Sequence, residues 1–166
     1  ASVYNKLVSY VPDAIWVKSD VVKFFGATIE TRMFVVRLQN GNLFICSPTW
    51  LTEELKQELD EIGIVKFVVS PNKIHNQCLG PYKKQYPNCK LFASPGLPER
   101  RKDLSFDGVL SNDPEDDWKE EIDQTLITGN SFFTEVIFFH IDSQTLIVCD
   151  LIENITEATM ARSGIS

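Results

Sequence analysis

The stretch VIFFHIDSQTLIVCDLIEN, Val136 to Asn154, decides the fold more than any other part of the sequence. It contains two apolar runs on either side of the turn-forming pair Asp142-Ser143. This pattern predicts a β-hairpin with strands over 134–140 and 144–150. His140 ends the first predicted strand and Asp150 ends the second. Because folds often carry their functional groups where strands end, both residues are candidates for chemistry.

The composition favours one globular domain over 1–166. The chain has 166 residues, 43% of them hydrophobic, which is enough to bury a substantial core. Its net charge of −7 opposes binding to nucleic acid and to anionic membrane surfaces. No apolar run approaches the roughly 20 residues that span a bilayer. We therefore expect a soluble protein with no nucleic acid and no membrane among its partners.

The four cysteines contain no CxxC pair, so neither a zinc knuckle nor a redox dithiol motif is indicated. Cys46 and Cys149 lie within apolar runs and are interpreted as small buried residues. Reduced thiols and a cytoplasmic location are the corresponding expectation.

An α/β pattern precedes the hairpin. Asn40-Gly41 between two apolar runs predicts a β-hairpin turn. Thr49 or Thr52 is suited to cap a helix that Gly63 ends. The nearly continuous apolar run IVKFVVSP then predicts a strand that is covered on both faces.

Three further elements are predicted after that buried strand. A helix lies within 72–86, the segment KLFAS forms a short strand, and the segment from Asp117 begins as a helix and becomes a strand at Thr125. Strands that alternate with helices in this order indicate an α/β fold.

The chain has only two histidines, His75 and His140. His75 directly follows the buried strand, in the loop SPNKIHN, where α/β folds bind ligands. It is suited to ligate a metal or to act as a base, or else to bond to the backbone at a helix start. Simple pairing places His140 opposite Leu146 and carries Asp150 past the end of the hairpin. His140 and Asp150 therefore meet only if the strands are offset or lie in different sheets.

Two other residues carry weaker signals. Glu135 lies five residues before His140 in the same strand, so the two side chains face opposite sides of the sheet. Cys78 is three residues beyond His75 but has no set of partners suited to a nucleophile.

The ordered segments resemble a family of unknown function, found in bacteria and plants, that is grouped with the metallo-β-lactamase-like proteins. The resemblance covers about Ile15 to Asn154 and rests on the following segments: TRMFVVRLQNGNLFICSP, IGIV, SPNKIH, YPNCKLFASPGLPER, Trp118 and FFHIDSQTLIVCDLIEN. It implies an αββα sandwich, expected to be truncated or incomplete at the C-terminus.

The resemblance also implies a site. In the wider superfamily a loop rich in His and Asp follows the strand that IVKFVVSP occupies here, and only His75 is of that kind. His140 resembles the next histidine of the pattern, and Asp150 resembles the bridging carboxylate. A two-metal site needs more imidazoles than the chain has, which leaves His75, His140 and Asp150 as the remaining metal ligands.

Three functions follow from this comparison. The first is a degenerate, non-enzymatic domain without the binuclear zinc site, which acts by binding, as a homodimer or with a protein partner. The second is a mononuclear metal-dependent hydrolase that uses His75, His140 and Asp150 with one zinc or iron ion. The third is a binder of an unidentified small molecule without metal. The first, with no cofactor, is the function we expect.

Overall fold

The fold consists of a large mixed sheet, a small antiparallel sheet and two helices, in a computed structural model that describes residues 6–24, 27–130 and 133–150. The strands of the large sheet are β1 (Val8–Val11), β2 (Ile15–Phe24), β3 (Ala27–Arg37), β4 (Asn42–Cys46), β5 (Ile64–Ser70), β6 (Lys90–Ala93) and β7 (Gly108–Val109). The small sheet contains β8 (Ile122–Asn130), β9 (Phe133–His140) and β10 (Thr145–Ile147), and the helices are α1 (Glu53–Ile62) and α2 (Leu79–Gln85).

The large sheet keeps its strands in chain order, β1 to β7. Strands β1 to β4 pair antiparallel, whereas β4 to β7 pair parallel. The parallel half therefore ends its strands at one common edge, here called the carboxyl edge, from which the segments after β4, β5 and β6 leave.

Local sequence signals explain the first of these connections. Gly41 adopts a φ of 85° in the turn between β3 and β4, as the Asn-Gly pair predicts. Thr52 caps α1 by accepting a hydrogen bond from the backbone N–H of Leu55, and the helix ends at Gly63. A Cβ atom at position 63 would lie 2.5 Å from the backbone oxygen of Gly41, so this close approach requires glycine.

Two clusters of buried apolar side chains cover the two faces of the large sheet. One packs the helices against the sheet and includes Leu55, Leu59 and Tyr82. The other fills the space between the two sheets, and Trp118 lies at its centre. Within the described ranges the layers thus follow the order helix, sheet, sheet, which agrees with the α/β class that the sequence predicts.

The segment at Trp118 departs from the prediction. Residues 117–121 form turns and not the start of a helix. The Trp118 ring meets the rings of Phe44, Phe67 and Phe92 edge-on at 5.1, 5.3 and 4.9 Å between centroids. Packing between the sheets therefore overrides the local helical preference of the acidic residues around it.

Two further predictions meet different outcomes. The helix expected within 72–86 occupies only Leu79–Gln85, and the final hairpin is present with a shorter second strand than expected. Residues 151–154 of the opening stretch lie outside the described residues.

Neither helix in the described part of the chain is long and apolar enough to cross a membrane.

Candidate functional site

The loop after β5 folds back on the end of its own strand. The hydroxyl of Ser70 has two backbone acceptors within hydrogen-bond distance, the oxygens of Asn72 and His75, at 3.0 and 2.7 Å. The side-chain oxygen Oδ1 of Asn72 accepts from the backbone N–H groups of Ile74 and His75, at 2.9 and 3.0 Å. Asn72 therefore shapes the loop that presents His75 at the carboxyl edge.

The small sheet meets this loop directly. The backbone N–H of Val136 donates to the oxygen of Pro71 over 2.9 Å. Its neighbour Glu135 is fully buried, and its carboxylate accepts from the backbone N–H groups of Cys149 and Asp150, at 3.2 and 2.7 Å. Glu135 thus fixes the chain beyond β10 so that Asp150 reaches the loop.

The amide of Asn72 joins the two carboxylates. Its Nδ2 atom donates to Oε1 of Glu135 and to Oδ2 of Asp150, each over 2.9 Å. Because two backbone N–H groups hold Oδ1, the orientation of the amide is fixed and Nδ2 must face the acids. A pair of N–H donors therefore lies between two carboxylates.

His75 pairs with the outer carboxylate. Its Nε2 atom lies 2.9 Å from Oδ1 of Asp150, and the two side chains are 15% and 24% exposed. The result is a connected set, Asn72, His75, Glu135 and Asp150, here called the edge cluster.

The structure brings together two of the three residues that the resemblance implies as metal ligands. His75 and Asp150 are in contact, whereas His140 is not near them. Nδ1 of His140 lies 2.7 Å from the hydroxyl of Ser143, and the strand partners of His140 are Thr145 and Ile122. At about 3.3 Å per residue along β9, His140 lies roughly 16 Å from Glu135.

His140 instead lines a separate cavity of about 760 Å³. Arg37, Asp13, Glu121 and Asp142 lie in the same wall. The register of the hairpin explains the separation, because residues 138–140 pair with 145–147 and Asp150 follows after the paired segment ends. The offset that the sequence analysis required for contact between His140 and Asp150 is not present.

The edge cluster also includes two residues, Asn72 and Glu135, that the sequence does not predict as site residues. Asn72 is not of a usual ligand type, and Glu135 faces away from His140, so neither fits the metal pattern. The available signals were the position of Asn72 directly after a buried strand and the rarity of a carboxylate inside an apolar strand.

Cys78 is unsuited to nucleophilic chemistry. Burial, followed by the charge of Asp20, raises the pKa of its thiol to about 11. The thiol therefore remains protonated at neutral pH, whereas the thiolate is the reactive form of cysteine.

Comparison with known proteins places this geometry in context. The family model described as "Domain of unknown function (DUF4336)" matches residues 12–162. No curated protein gives a significant match.

Solved metallo-β-lactamases share the fold. The enzyme from Pontibacter korlensis is 12% identical, with a TM-score of 0.65 over 85% of this chain and 69% of that one. The DIM-1 enzyme is 14% identical, with a TM-score of 0.69 over 95% and 76% of the two chains. The enzyme from Hirschia baltica is 10% identical, with a TM-score of 0.62 over 85% and 68%. At these identities the likeness establishes the fold alone.

The metal that this fold implies needs several lone pairs directed at one point. In the edge cluster, each carboxylate oxygen of Glu135 and Asp150 lies within hydrogen-bond distance of a nitrogen in Asn72, His75 or the backbone. The cluster has one imidazole, and no group of three His, Cys, Asp or Glu within the described ranges is arranged to hold an ion. The donor set at this edge therefore does not fit a zinc centre.

Proposed function

The chain belongs to the family described as domain of unknown function DUF4336, and from that premise we propose that it is a non-hydrolytic domain on a metallo-β-lactamase-like fold that acts by binding. In this proposal the edge cluster is a fixed hydrogen-bonded structure and not a metal centre. No cofactor takes part.

One observation carries the proposal, namely the position of the Asn72 amide. Two carboxylates that approach one another repel, and in a metalloenzyme a metal ion supplies the compensating positive charge. Here the Nδ2 atom of Asn72 donates to both carboxylates, and the residue Asn72 is only 2% exposed. The N–H groups of the Asn72 amide, and the backbone N–H groups that donate to the Glu135 carboxylate, stabilise the acids by hydrogen bonding without a cation.

Exposed apolar side chains near the same edge support a binding role. Trp50 follows β4 and is 52% exposed, and Ile74 follows β5 and is 56% exposed. Since β4 and β5 are parallel, both residues leave the sheet at the carboxyl edge. Tryptophan is enriched in interfaces with proteins and other ligands, so we propose this edge as the binding surface.

The alternative, a mononuclear hydrolase that uses His75, His140 and Asp150, receives less support. It requires three side chains within about 2 Å of one ion. The hydrogen bond between His140 and Ser143 holds that imidazole in the other cavity.

The proposed cytoplasmic location is supported by the free state of all four thiols.

An activity measurement tests the proposal. The purified protein is assayed with a chromogenic β-lactam, with and without added zinc, beside a His75→Ala variant. We expect both proteins to give the rate of buffer alone. Zinc-dependent hydrolysis by the wild type that His75→Ala abolishes would overturn the proposal.

A further inference from the structure

The cavity that His140 lines, here called the His140 cavity, lies at the end of the large sheet opposite the carboxyl edge. Its wall includes Gly41, in the turn between β3 and β4, and Ile62, the last residue of α1. Asn42 pairs with Ile64 at the starts of β4 and β5, so both wall segments lie at the amino ends of the parallel strands. Its volume of about 760 Å³ is large enough for a small organic ligand.

Carboxylates dominate the charge of the His140 cavity. Asp13, Glu120, Glu121 and Asp142 line it, whereas Arg37 is the one lysine or arginine among its described lining residues. The C-terminal end of α1 lies there too, and the last turn of that helix contains no basic residue. Because a helix C-terminus carries partial negative charge, it adds to the effect of the acids. The cavity therefore favours a cationic ligand.

The wall already stabilises one cation in this way. Nη1 of Arg37 donates to the backbone oxygen of Ile62 over 3.2 Å, and Nη2 lies 3.5 Å from Oδ1 of Asp13. The guanidinium also lies over the ring of Trp16, 5.2 Å from its centroid. These contacts occupy Arg37 and neutralise one of the four acids.

The other three acids, here called the wall acids, are Glu120, Glu121 and Asp142. None of them takes part in a salt bridge within the part of the chain that the structure describes. Glu120 and Asp142 are exposed, and Glu121 accepts through Oε1 from the backbone N–H of Gln39 over 2.8 Å. The backbone N–H of Ile141 donates to the oxygen of Glu121 over 3.0 Å, which joins the segments that carry these acids.

His140 adds a buried polar group to the same wall. It is only 4% exposed, and its Nδ1 lies 2.7 Å from the hydroxyl of Ser143. Both hydrogen bonds of this ring among the described residues involve Nδ1, so Nε2 is left for the cavity. A largely buried nitrogen without a protein partner is satisfied by water or by a ligand.

We propose that the His140 cavity binds an aliphatic polyamine, in which methylene segments join several amines. The ammonium groups bind to the wall acids, and one N–H donates to Nε2 of His140 while Nδ1 donates to Ser143. The methylene segments contact the apolar part of the wall, which includes Ala14, Ile62 and Ile141. A metal ion fits less well, because no three His, Cys, Asp or Glu residues of the described ranges are arranged to hold one.

Calorimetry on the intact chain tests the inference. The protein is titrated at low ionic strength with spermidine, with magnesium chloride and with octanediol, a neutral compound of similar length. We expect saturable binding of spermidine at one site, weaker binding of magnesium and no binding of the diol. Spermidine that does not saturate, or that magnesium or the diol equals in affinity, would overturn the inference.

Two matched variants locate the site. Glu120→Gln/Asp142→Asn removes two exposed wall acids, whereas Glu99→Gln/Asp113→Asn removes two exposed acids that do not line the cavity. We expect spermidine to bind about fivefold to tenfold more weakly to the first variant and to change by less than about twofold for the second. Equal weakening would mean a general attraction to an acidic protein and would contradict the inference.

His140→Asn checks the part played by the imidazole. Asparagine keeps a polar atom near the position of Nδ1 for Ser143 but has none at that of Nε2. We expect spermidine to bind about tenfold more weakly while thermal unfolding shows a folded protein. Unchanged binding would contradict the role of His140, and the exposed acid variants decide the matter if this variant does not fold. None of these measurements involves His75 or zinc, so they fail independently of the proposed function.

Discussion

The Nδ2 atom of Asn72 lies 2.9 Å from Oε1 of Glu135, and this hydrogen bond joins the two sheets inside the protein. Asn72 belongs to the loop after β5 and is 2% exposed, while Glu135 lies in β9 and is fully buried. Asp150 completes the arrangement by accepting from the same nitrogen. The amide thus stabilises two neighbouring carboxylates that would otherwise repel each other.

Replacing this amide by a third acid should expose its role. In Asn72→Asp the two N–H donors are lost and a carboxylate faces Glu135 and Asp150. We expect the free energy of unfolding to fall by about 2–4 kcal/mol, measured by urea denaturation. Added calcium or magnesium should restore part of that loss, because a cation then takes the place of the amide.

A matched control is available at an exposed asparagine. Asn112 uses its Oδ1 atom to accept from the backbone N–H of Leu126, and an aspartate retains that acceptor. Asn112→Asp should change the free energy of unfolding by less than about 0.5 kcal/mol. Equal effects of the two substitutions would show that the Asn72 amide has no special role.

The contact between His75 and Asp150 should appear as an energetic coupling. In a double-mutant cycle of His75→Ala and Asp150→Ala, we expect a coupling free energy of about 0.5–1 kcal/mol, since the pair is partly exposed. The same cycle with His140→Ala should be additive within about 0.3–0.5 kcal/mol. Strong coupling between His140 and Asp150 would contradict the placement of His140 in the other cavity.

The core between the sheets depends on Trp118. Its Nε1 atom donates to Oε1 of the buried Gln124 over 3.0 Å, and its ring contacts three phenylalanine rings. Trp118→Phe leaves that acceptor unpaired beside a cavity, so we expect a loss of about 2–4 kcal/mol in the free energy of unfolding. Trp50→Phe, at a half-exposed position, should cost less than about 0.5 kcal/mol and serves as the control.

The free energy of unfolding should fall in alkaline solution, because the folded state disfavours the ionised form of its buried thiols. The pKa of Cys78 rises from 9.0 to about 11, because burial and then the charge of Asp20 disfavour its thiolate. The unfolded chain releases this proton first, so stability that is present below pH 9 is lost as the pH rises towards 11. Cys46 and Cys89 shift in the same direction.

Urea denaturation between pH 7 and 11 measures this loss. Cys78→Ala removes one contribution and leaves those of Cys46, Cys89, Tyr82 and Tyr86, whose pKa values burial also raises. Its free energy of unfolding should therefore decline less steeply above pH 9 than that of the wild type. Parallel curves for the two proteins would argue against the burial of this thiol.

Local signals predict much of the fold because they act within a few residues. The Asn40-Gly41 turn, the Thr52 cap and the stop at Gly63 each depend on neighbouring backbone, and the structure has all three. The helix predicted at Trp118 does not form, because the Trp118 side chain packs against residues of three other strands. A pattern of neighbours contains no information about such a distant contact.

The candidate site likewise contains some residues that the sequence predicts and others that it does not. His75 and Asp150 are recognisable by residue type and by their positions after strands, and the structure places them in contact. The role of Asn72 depends on acids 63 and 78 residues away, which no local pattern specifies. His140 shares the residue type but, by strand register, faces another cavity.

Zinc content of the intact protein tests the central claim most directly. Wild type and His75→Ala are dialysed against excess zinc, passed through a desalting column and analysed by elemental mass spectrometry. If the Asn72 amide stabilises the carboxylates in place of a cation, both proteins should retain far less than one equivalent of zinc. One equivalent in the wild type that His75→Ala loses would contradict the account.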